Sequence, residues 1–323
     1  MAPAASTARS TALANTGFRR RVILGAAVCG IAAFGLRLAA VKLQNALLYH
    51  PRPIQGDPYY EKVVSQTSQQ LQRRGYRVQE LKYTVRNQTQ KAFLVRPEQH
   101  KPAPLWLVFG GNAMVSADWL PFCESILSFK DAGVAQPSFL LVDYPGYGDN
   151  GGEPSPSSTL EASQQALEQV LRELAESPPQ SVNLLGHSLG AAAASQLAAK
   201  LARSDTYKLP PGRLVLSSPF LSIDAMAAVI FGFIPPWVLR TLVTHRWNNA
   251  EMVPKAALGG WEVSIIHPKL DEIVPVRHGE ELFESIQAQG KECKLLKPEG
   301  CGHNDCVFAA LRTYAQVLGL SRL

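Results

Sequence analysis

The sequence predicts an α/β protein, a mostly parallel central sheet with helices on both faces. Three observations carry that expectation. From residue 104 onward, short apolar runs alternate with segments of helical period. Strands joined by right-handed helical crossovers make a parallel sheet covered on both sides. Several of the runs, such as PLWLVF (Pro104 to Phe109) and SFLLVD (Ser138 to Asp143), are near-continuously apolar, as strands buried on both faces are. The third observation is SVNLLGHSLG, Ser181 to Gly190. There a short strand runs into Gly186-His187-Ser188-Leu189-Gly190 and an Ala-rich helix follows at once. A G-x-S-x-G turn between strand and helix projects a serine hydroxyl beyond the sheet edge. The glycines on either side leave room for a strained backbone and close helix–strand packing.

The elements follow in order. Residues 1–18 are rich in Ala, Ser and Thr and hold too little apolar surface for a core, so a disordered tail is expected. Residues 19–42 begin with Arg19-Arg20-Arg21 and continue as an apolar run from Val22 to Leu36, extended to Val41 past Arg37. If Arg37 snorkels, that length crosses a bilayer. An uncleaved single-pass signal anchor is the favoured reading. A cleaved secretory or twin-arginine signal and an organelle transit peptide are the alternatives. The arginines ahead of the run put the N-terminus in the cytosol and the domain from residue 44 to 323 on the far side. Asn87-Gln88-Thr89 is then a candidate glycosylation sequon.

Within 44–323, NALLYHPRP (Asn45 to Pro53) is an apolar lead-in, and Tyr60 to Arg74 has helical character. Val78 to Val85 and Lys91 to Arg96 form a hairpin. The PLWLVF strand, a helix from Trp119 to Lys130, the SFLLVD strand and a helix from Leu160 to Leu174 come next. After the Ser188 strand and the helix Ala191 to Leu201, strands are expected at Arg213 to Ser217, Val263 to His267 and Glu292 to Lys297. A closing helix spans Cys306 to Leu318. Between the first two of those strands, Ala225 to Arg246 holds apolar helices broken by Pro235-Pro236. Phe231, Phe233, Ile234, Trp237 and Val238 in this insertion suit an acyl pocket or a membrane-facing lid, with plain core packing as the other reading.

Charge and cysteines exclude several functions. The net charge is +6, but residues 1–56 contain seven basic residues and no acid. The remainder is therefore near −1, which gives no support to nucleic-acid binding. The five cysteines form no CxxC pair, so neither a zinc site nor a disulfide framework is expected. Free cysteines are the favoured reading, with one bridge, for which Cys301 and Cys306 are placed, as the alternative. No metal or cofactor is implied.

A nucleophilic serine needs a base, an orienting acid and an oxyanion site. Asp271 lies four residues beyond the strand VSIIH, and His303 six beyond ECKLLK. Loops at the carboxyl ends of parallel strands are where such sheets build sites. Ser188, Asp271 and His303 are the candidate triad. Glu272 competes with Asp271 for the acid, and His187, His245, His267 and His278 are other histidines weighed for the base. The backbone N–H groups of Leu189 and Asn112 are the candidate oxyanion donors, the latter from Phe109-Gly110-Gly111-Asn112-Ala113.

At these residues the chain resembles the membrane-anchored α/β-hydrolase domain proteins, a branch with lysophospholipid and monoacylglycerol lipases and protein depalmitoylases. The resemblance spans roughly residues 44–320. It rests on GHSLG, LLYHP (Leu47 to Pro51), FGGNA (Phe109 to Ala113) and DYPGYGDNGGEPS (Asp143 to Ser155). SPF (Ser218 to Phe220), HRWNNAE (His245 to Glu251), DEIVP (Asp271 to Pro275) and GCGHND (Gly300 to Asp305) extend it. The chain departs from the pattern at Gly110, where relatives have His, and at Asn150, where they have Ser. The resemblance implies an α/β-hydrolase fold with a small lid. The combined expectation is a membrane-associated serine hydrolase of carboxylic esters or thioesters, acting on lysophospholipids, monoacylglycerols or S-acylated proteins through an acyl-enzyme. An aminopeptidase-like or small-ester hydrolase is the enzymatic alternative. A non-catalytic scaffold is the alternative of another class.

Overall fold

A strand that is apolar at every position must lie between two layers, and the sheet is arranged accordingly. The computed structural model describes residues 34, 35, 37–39, 41–99, 101–204 and 210–322. β1 (Tyr76–Val85) and β2 (Gln88–Pro97) form the predicted hairpin. Arg86 and Asn87 turn it with φ of 48° and 62°, the left-handed pair that a two-residue hairpin requires. β3 (Pro104–Phe109), β4 (Ser138–Val142), β5 (Ser181–His187), β6 (Pro211–Ser217), β7 (Glu262–Ile266) and β8 (Cys293–Leu296) complete a sheet of order β1-β2-β4-β3-β5-β6-β7-β8. β2 runs antiparallel to both neighbours, and every pairing from β4 to β8 is parallel.

The core lies on both sides of this sheet. Leu105, Leu107 and Phe109 of β3 join one apolar cluster, and Trp106 and Val108 join the other. Helices α3 (Pro156–Glu173), α4 (Leu189–Leu201), α7 (Asn249–Leu258) and α8 (Arg277–Gln287) bury residues in the first cluster. Helices α2 (Leu120–Ile126), α9 (Cys306–Ala309) and α10 (Leu311–Val317) bury theirs in the second. The helix α1 (Pro58–Arg73) precedes the hairpin, with Asp57 as N-cap accepting from the Tyr59 N–H at 2.9 Å. The expected lid consists of α5 (Ile223–Ile230) and α6 (Pro236–Leu242), with Pro236 at the first position of α6. Pro is tolerated there because that N–H has no intrahelical partner.

Three details differ from the sequence expectation. α3 starts at Pro156 because Ser155 caps it, accepting from the Ser158 N–H at 3.1 Å. The closing helix is split at Ala310, which has φ −107° and ψ 31°. α7 and α8 have no counterpart in the sequence expectation. α7 carries Pro254 inside it, which interrupts the helical signal, and tertiary packing of Val253, Ala256 and Ala257 outweighs it.

Residues 41–48 are helical. Most of the expected anchor lies outside the described residues, and no described helix is long and apolar enough to cross a membrane. Segment 41–48 is clamped to the end of the lid. Gln44 Oε1 accepts from the Thr244 N–H (2.9 Å) and Oγ1–H (2.8 Å), and Gln44 Nε2–H donates to the His245 carbonyl at 3.3 Å. Next along the chain, Tyr49 O–H accepts from Trp247 Nε1–H at 3.0 Å and donates to His245 Nδ1 at 3.0 Å.

Candidate active site

Ser188 follows β5 as the N-cap of α4, with φ 55° and ψ −114°, a conformation that costs a non-glycine residue about 1–3 kcal/mol. The surroundings impose it. The Ser188 N–H donates to the Ser217 carbonyl of β6 at 2.8 Å, and the Ser188 carbonyl accepts from the Ala191 N–H at 3.0 Å. A Cβ on Gly186 would collide with the Gly190 carbonyl, and one on Gly190 would enter the carbonyls of Phe109 and Gly110. Close packing of strand, turn and helix thus dictates glycine at both positions, and the turn leaves Ser188 partly accessible.

Asp271 and His303 come together from the loops after β7 and β8. His303 Nδ1 lies 2.8 Å from Asp271 Oδ2 and 3.0 Å from Oδ1. Asp271 Oδ1 also accepts from the N–H groups of Ile273 (3.0 Å) and Val274 (2.7 Å). Burial works to raise the Asp271 pKa. The hydrogen bond and charge of His303, together with the Val274 N–H, outweigh it and hold the carboxyl below its ordinary value. The ionised acid fixes the proton on His303 Nδ1 and leaves Nε2 as the basic nitrogen. Glu272, the competing acid, serves the backbone instead. Its Oε2 accepts from the His303 N–H at 3.0 Å. Asp305 Oδ1 likewise accepts from the Gly302 N–H at 2.7 Å.

Four other histidines make hydrogen bonds of their own. His187 Nδ1 is 3.0 Å from Ser217 Oγ, which in turn lies 2.5 Å from Tyr314 Oη. Its ring centroid is 4.9 Å from that of His303. Burial, and secondarily the neighbouring His303, push the His187 pKa down to about 3. It is therefore neutral and adds no positive charge beside the base. His267 Nε2–H donates to the Val274 carbonyl at 2.8 Å, and His278 Nδ1 accepts from the Leu221 N–H at 3.1 Å. His245 is bound to Tyr49.

The Gly110–Ala113 loop passes beside the nucleophile. A Cβ on Gly111 would sit 3.7 Å from Ser188 Cβ and 3.5 Å from His187 Cδ2. Three consecutive carbonyls of this loop are engaged. Tyr144 O–H donates to Gly110, the Met114 N–H to Gly111 at 3.2 Å, and Tyr147 O–H (2.6 Å) and the His50 N–H (3.0 Å) to Asn112. All peptides are trans among the described residues, so the Asn112 N–H points opposite to the tethered Gly111 carbonyl. The Leu189 N–H begins α4, where the first N–H groups have no intrahelical acceptor.

Sequence reasoning missed the tethers, namely His50, Tyr144, Tyr147 and Ser217. LLYHP and DYPGYG contain three of them, but nothing local reveals their contacts. Asn150, the departure from the family pattern, braces the same region. Its Oδ1 accepts from the Lys91 N–H at 2.6 Å and its Nδ2–H donates to the Asp143 carbonyl at 3.3 Å. Of the expected pocket residues, Phe231 and Phe233 pack edge to face, with ring centroids 6.4 Å apart. Phe231 lines an apolar groove between the lid and segment 41–48, whereas Phe233 and Trp237 are 83% and 71% exposed at the surface. Cys301 and Cys306 are buried free thiols. Among the described residues no cluster of His, Cys, Asp and Glu is arranged to hold a metal ion.

Comparison with known proteins agrees with this architecture. The profile of the Alpha/beta hydrolase family matches residues 107–285, more than half of the chain. An uncharacterized protein of Mycobacterium tuberculosis is 32% identical over 202 residues, covering 62% of this chain and 63% of that protein. The lysophosphatidylserine lipase ABHD12 of Macaca fascicularis is 28% identical over 168 residues, 49% of this chain and 40% of the lipase. The chain thus spans less than two thirds of either relative. Carboxyl esterase 2 of the fungus Tuber melanosporum superposes with a TM-score of 0.56 at 15% identity, over 76% of this chain and 85% of the esterase, a likeness of fold alone.

Proposed function

The chain belongs to the alpha/beta hydrolase family, and on that premise we propose that it is a serine hydrolase of carboxylic esters or thioesters whose substrates carry lipid acyl groups. Lysophospholipids, monoacylglycerols and S-acylated proteins are the candidate classes. The reading is carried by one observation, the Asp271–His303 pair, whose imidazole lies 4.9 Å from that of His187, the residue preceding Ser188 in its strained turn. In this reaction Ser188 Oγ attacks the acyl carbonyl while its proton passes to His303 Nε2. Asp271 stabilises the imidazolium that forms. The N–H groups of Leu189 and Asn112 donate to the tetrahedral oxyanion. His303 then returns the proton to the departing alcohol or thiol, leaving an acyl-serine. A water activated by His303 releases the carboxylic acid and restores Ser188.

The lipid preference is supported by the likeness to a lysophosphatidylserine lipase and by the apolar groove beside the lid. A fluorophosphonate probe tests the chemistry. It labels the wild-type protein covalently, and Ser188→Ala abolishes labelling and lowers ester hydrolysis at least ~1000-fold. Labelling that survives in Ser188→Ala overturns the assignment. A panel of lysophospholipids, monoacylglycerols, S-acylated peptides and aminoacyl substrates identifies the class.

A further inference from the structure

Tyr314 lies on α10, the last helix, and has no step in the reaction above, yet its hydroxyl is linked to the residue ahead of the nucleophile. Tyr314 Oη meets Ser217 Oγ at 2.5 Å, and Ser217 Oγ meets His187 Nδ1 at 3.0 Å. The three residues come from α10, β6 and β5, and none is more than 3% exposed. Burial raises the Tyr314 pKa well above its ordinary value, so the phenol keeps the proton that the line needs. A buried network with its members satisfied stiffens what it holds, and here it holds one edge of the His187 ring.

The ring faces the catalytic base. Rotation of an imidazole about its Cβ–Cγ bond is soft, with broad minima. Asp271 grips His303 at Nδ1, which constrains one edge of that ring and leaves rocking about the contact. The His187 ring meets it with centroids 4.9 Å apart and planes inclined at 45°, within the range of favourable ring contacts. The bond at Nδ1 keeps His187 from turning away. Ser217 also holds the nucleophile's turn, because its carbonyl accepts from the Ser188 N–H at 2.8 Å. One residue therefore steadies Ser188 through its backbone and the base through its side chain. Tyr314 Oη further meets the thiol of Cys306, which begins α9 just past His303. The line thus returns to the loop that carries the base.

We propose that His187, pinned by Ser217 and Tyr314, is a positioning residue that seats the His303 imidazole for proton transfer, so that α10 belongs to the catalytic framework. The proposal rests on the hydrolase reading. His187 exchanges no proton in the reaction. It narrows the orientations of a ring that must come within hydrogen-bond reach of Ser188 Oγ, and a misplacement of about 1 Å can cost about a hundredfold in rate.

The test removes one link at a time from the full-length protein. Tyr314→Phe keeps the ring that packs edge to face on Phe122, with centroids 5.7 Å apart. Ser217→Ala keeps the carbonyl that holds Ser188. Each is expected to lower kcat for p-nitrophenyl butyrate about tenfold, with KM within about twofold of the wild type. The double variant is expected to lose no more than either alone, because both act through His187. His187→Asn, which offers Ser217 an amide in place of Nδ1 but removes the ring, shows the same loss. In proton NMR of the substrate-free protein, the downfield resonance of the proton between His303 Nδ1 and Asp271 is altered in each of these variants. Tyr76→Phe removes a buried tyrosine hydroxyl that has no hydrogen-bond partner among the described residues, and leaves kcat and the resonance unchanged. Losses that multiply to about a hundredfold in the double variant, an unaltered resonance, or wild-type kcat in His187→Asn overturn the proposal. A wild-type protein that hydrolyses no ester and takes up no fluorophosphonate sinks the hydrolase reading instead, and the resonance then decides the seating of His303 by itself.

Discussion

At the residue scale, Asp271 and Glu272 show how two adjacent carboxylates acquire different tasks. One binds the His303 imidazole and the other the His303 backbone. Asp271→Asn is expected to lower kcat about ten-thousandfold by disturbing the tautomer of the base. Glu272→Gln keeps an acceptor for the His303 N–H and should cost less than about tenfold. Steady-state ester hydrolysis distinguishes the two, and equal losses would refute the division of labour. Asp143 makes a different prediction. Burial raises its pKa to about 7, against the hydrogen bonds from Ser116 Oγ–H and N–H. An acid whose folded pKa lies above its unfolded value, ~3.9, favours the folded state most when protonated. Its contribution is therefore full below pH ~4 and declines as pH rises to about 7. Thermal melts across that window should show the wild-type Tm falling more steeply than that of Asp143→Asn. Parallel curves would count against it. The candidate triad could be proposed from sequence because each member sits at a short offset past an apolar strand. Asp271 was preferred to Glu272 from sequence, but the separate task of Glu272, binding the His303 backbone, emerged only from geometry.

At the element scale, the turn at Ser188 is held by packing rather than by local preference. Gly190→Ala drives a methyl into the β3 carbonyls and should lower Tm by about 5 °C or more. A variant that melts with the wild type would contradict the crowding. The oxyanion loop is held by Tyr147, whose oxygen accepts from the His50 N–H across 97 positions and whose proton goes to Asn112 across 35. Tyr147→Phe should reduce kcat about tenfold with little change in KM, because the Asn112 N–H counts most when the oxyanion forms. A change confined to KM would move Tyr147 into substrate binding. Strands β3 to β7 could be read from short, mostly apolar runs. α7 could not, because Pro254 breaks its pattern, and the tethers could not, because contacts at such separations leave no local periodicity.

At the scale of the whole molecule, alternation of strands and helices gave the layered α/β architecture, while the spatial order β1-β2-β4-β3 and the seating of segment 41–48 against the lid emerge only from packing. The acid-free, basic segment ahead of residue 57 leads us to expect the full-length chain in the membrane fraction, resisting alkaline carbonate extraction. Recovery in the soluble wash would refute that. The clamp formed by Gln44, Tyr49 and His50 has a bearing on chimeras and on divergence among relatives. A graft joined at residue 57 removes a partner of the lid and a partner of Asn112. The stretch from Gln44 to His50 must therefore change in step with the lid and the oxyanion loop, as a working part of the domain and not only a lead-in to it.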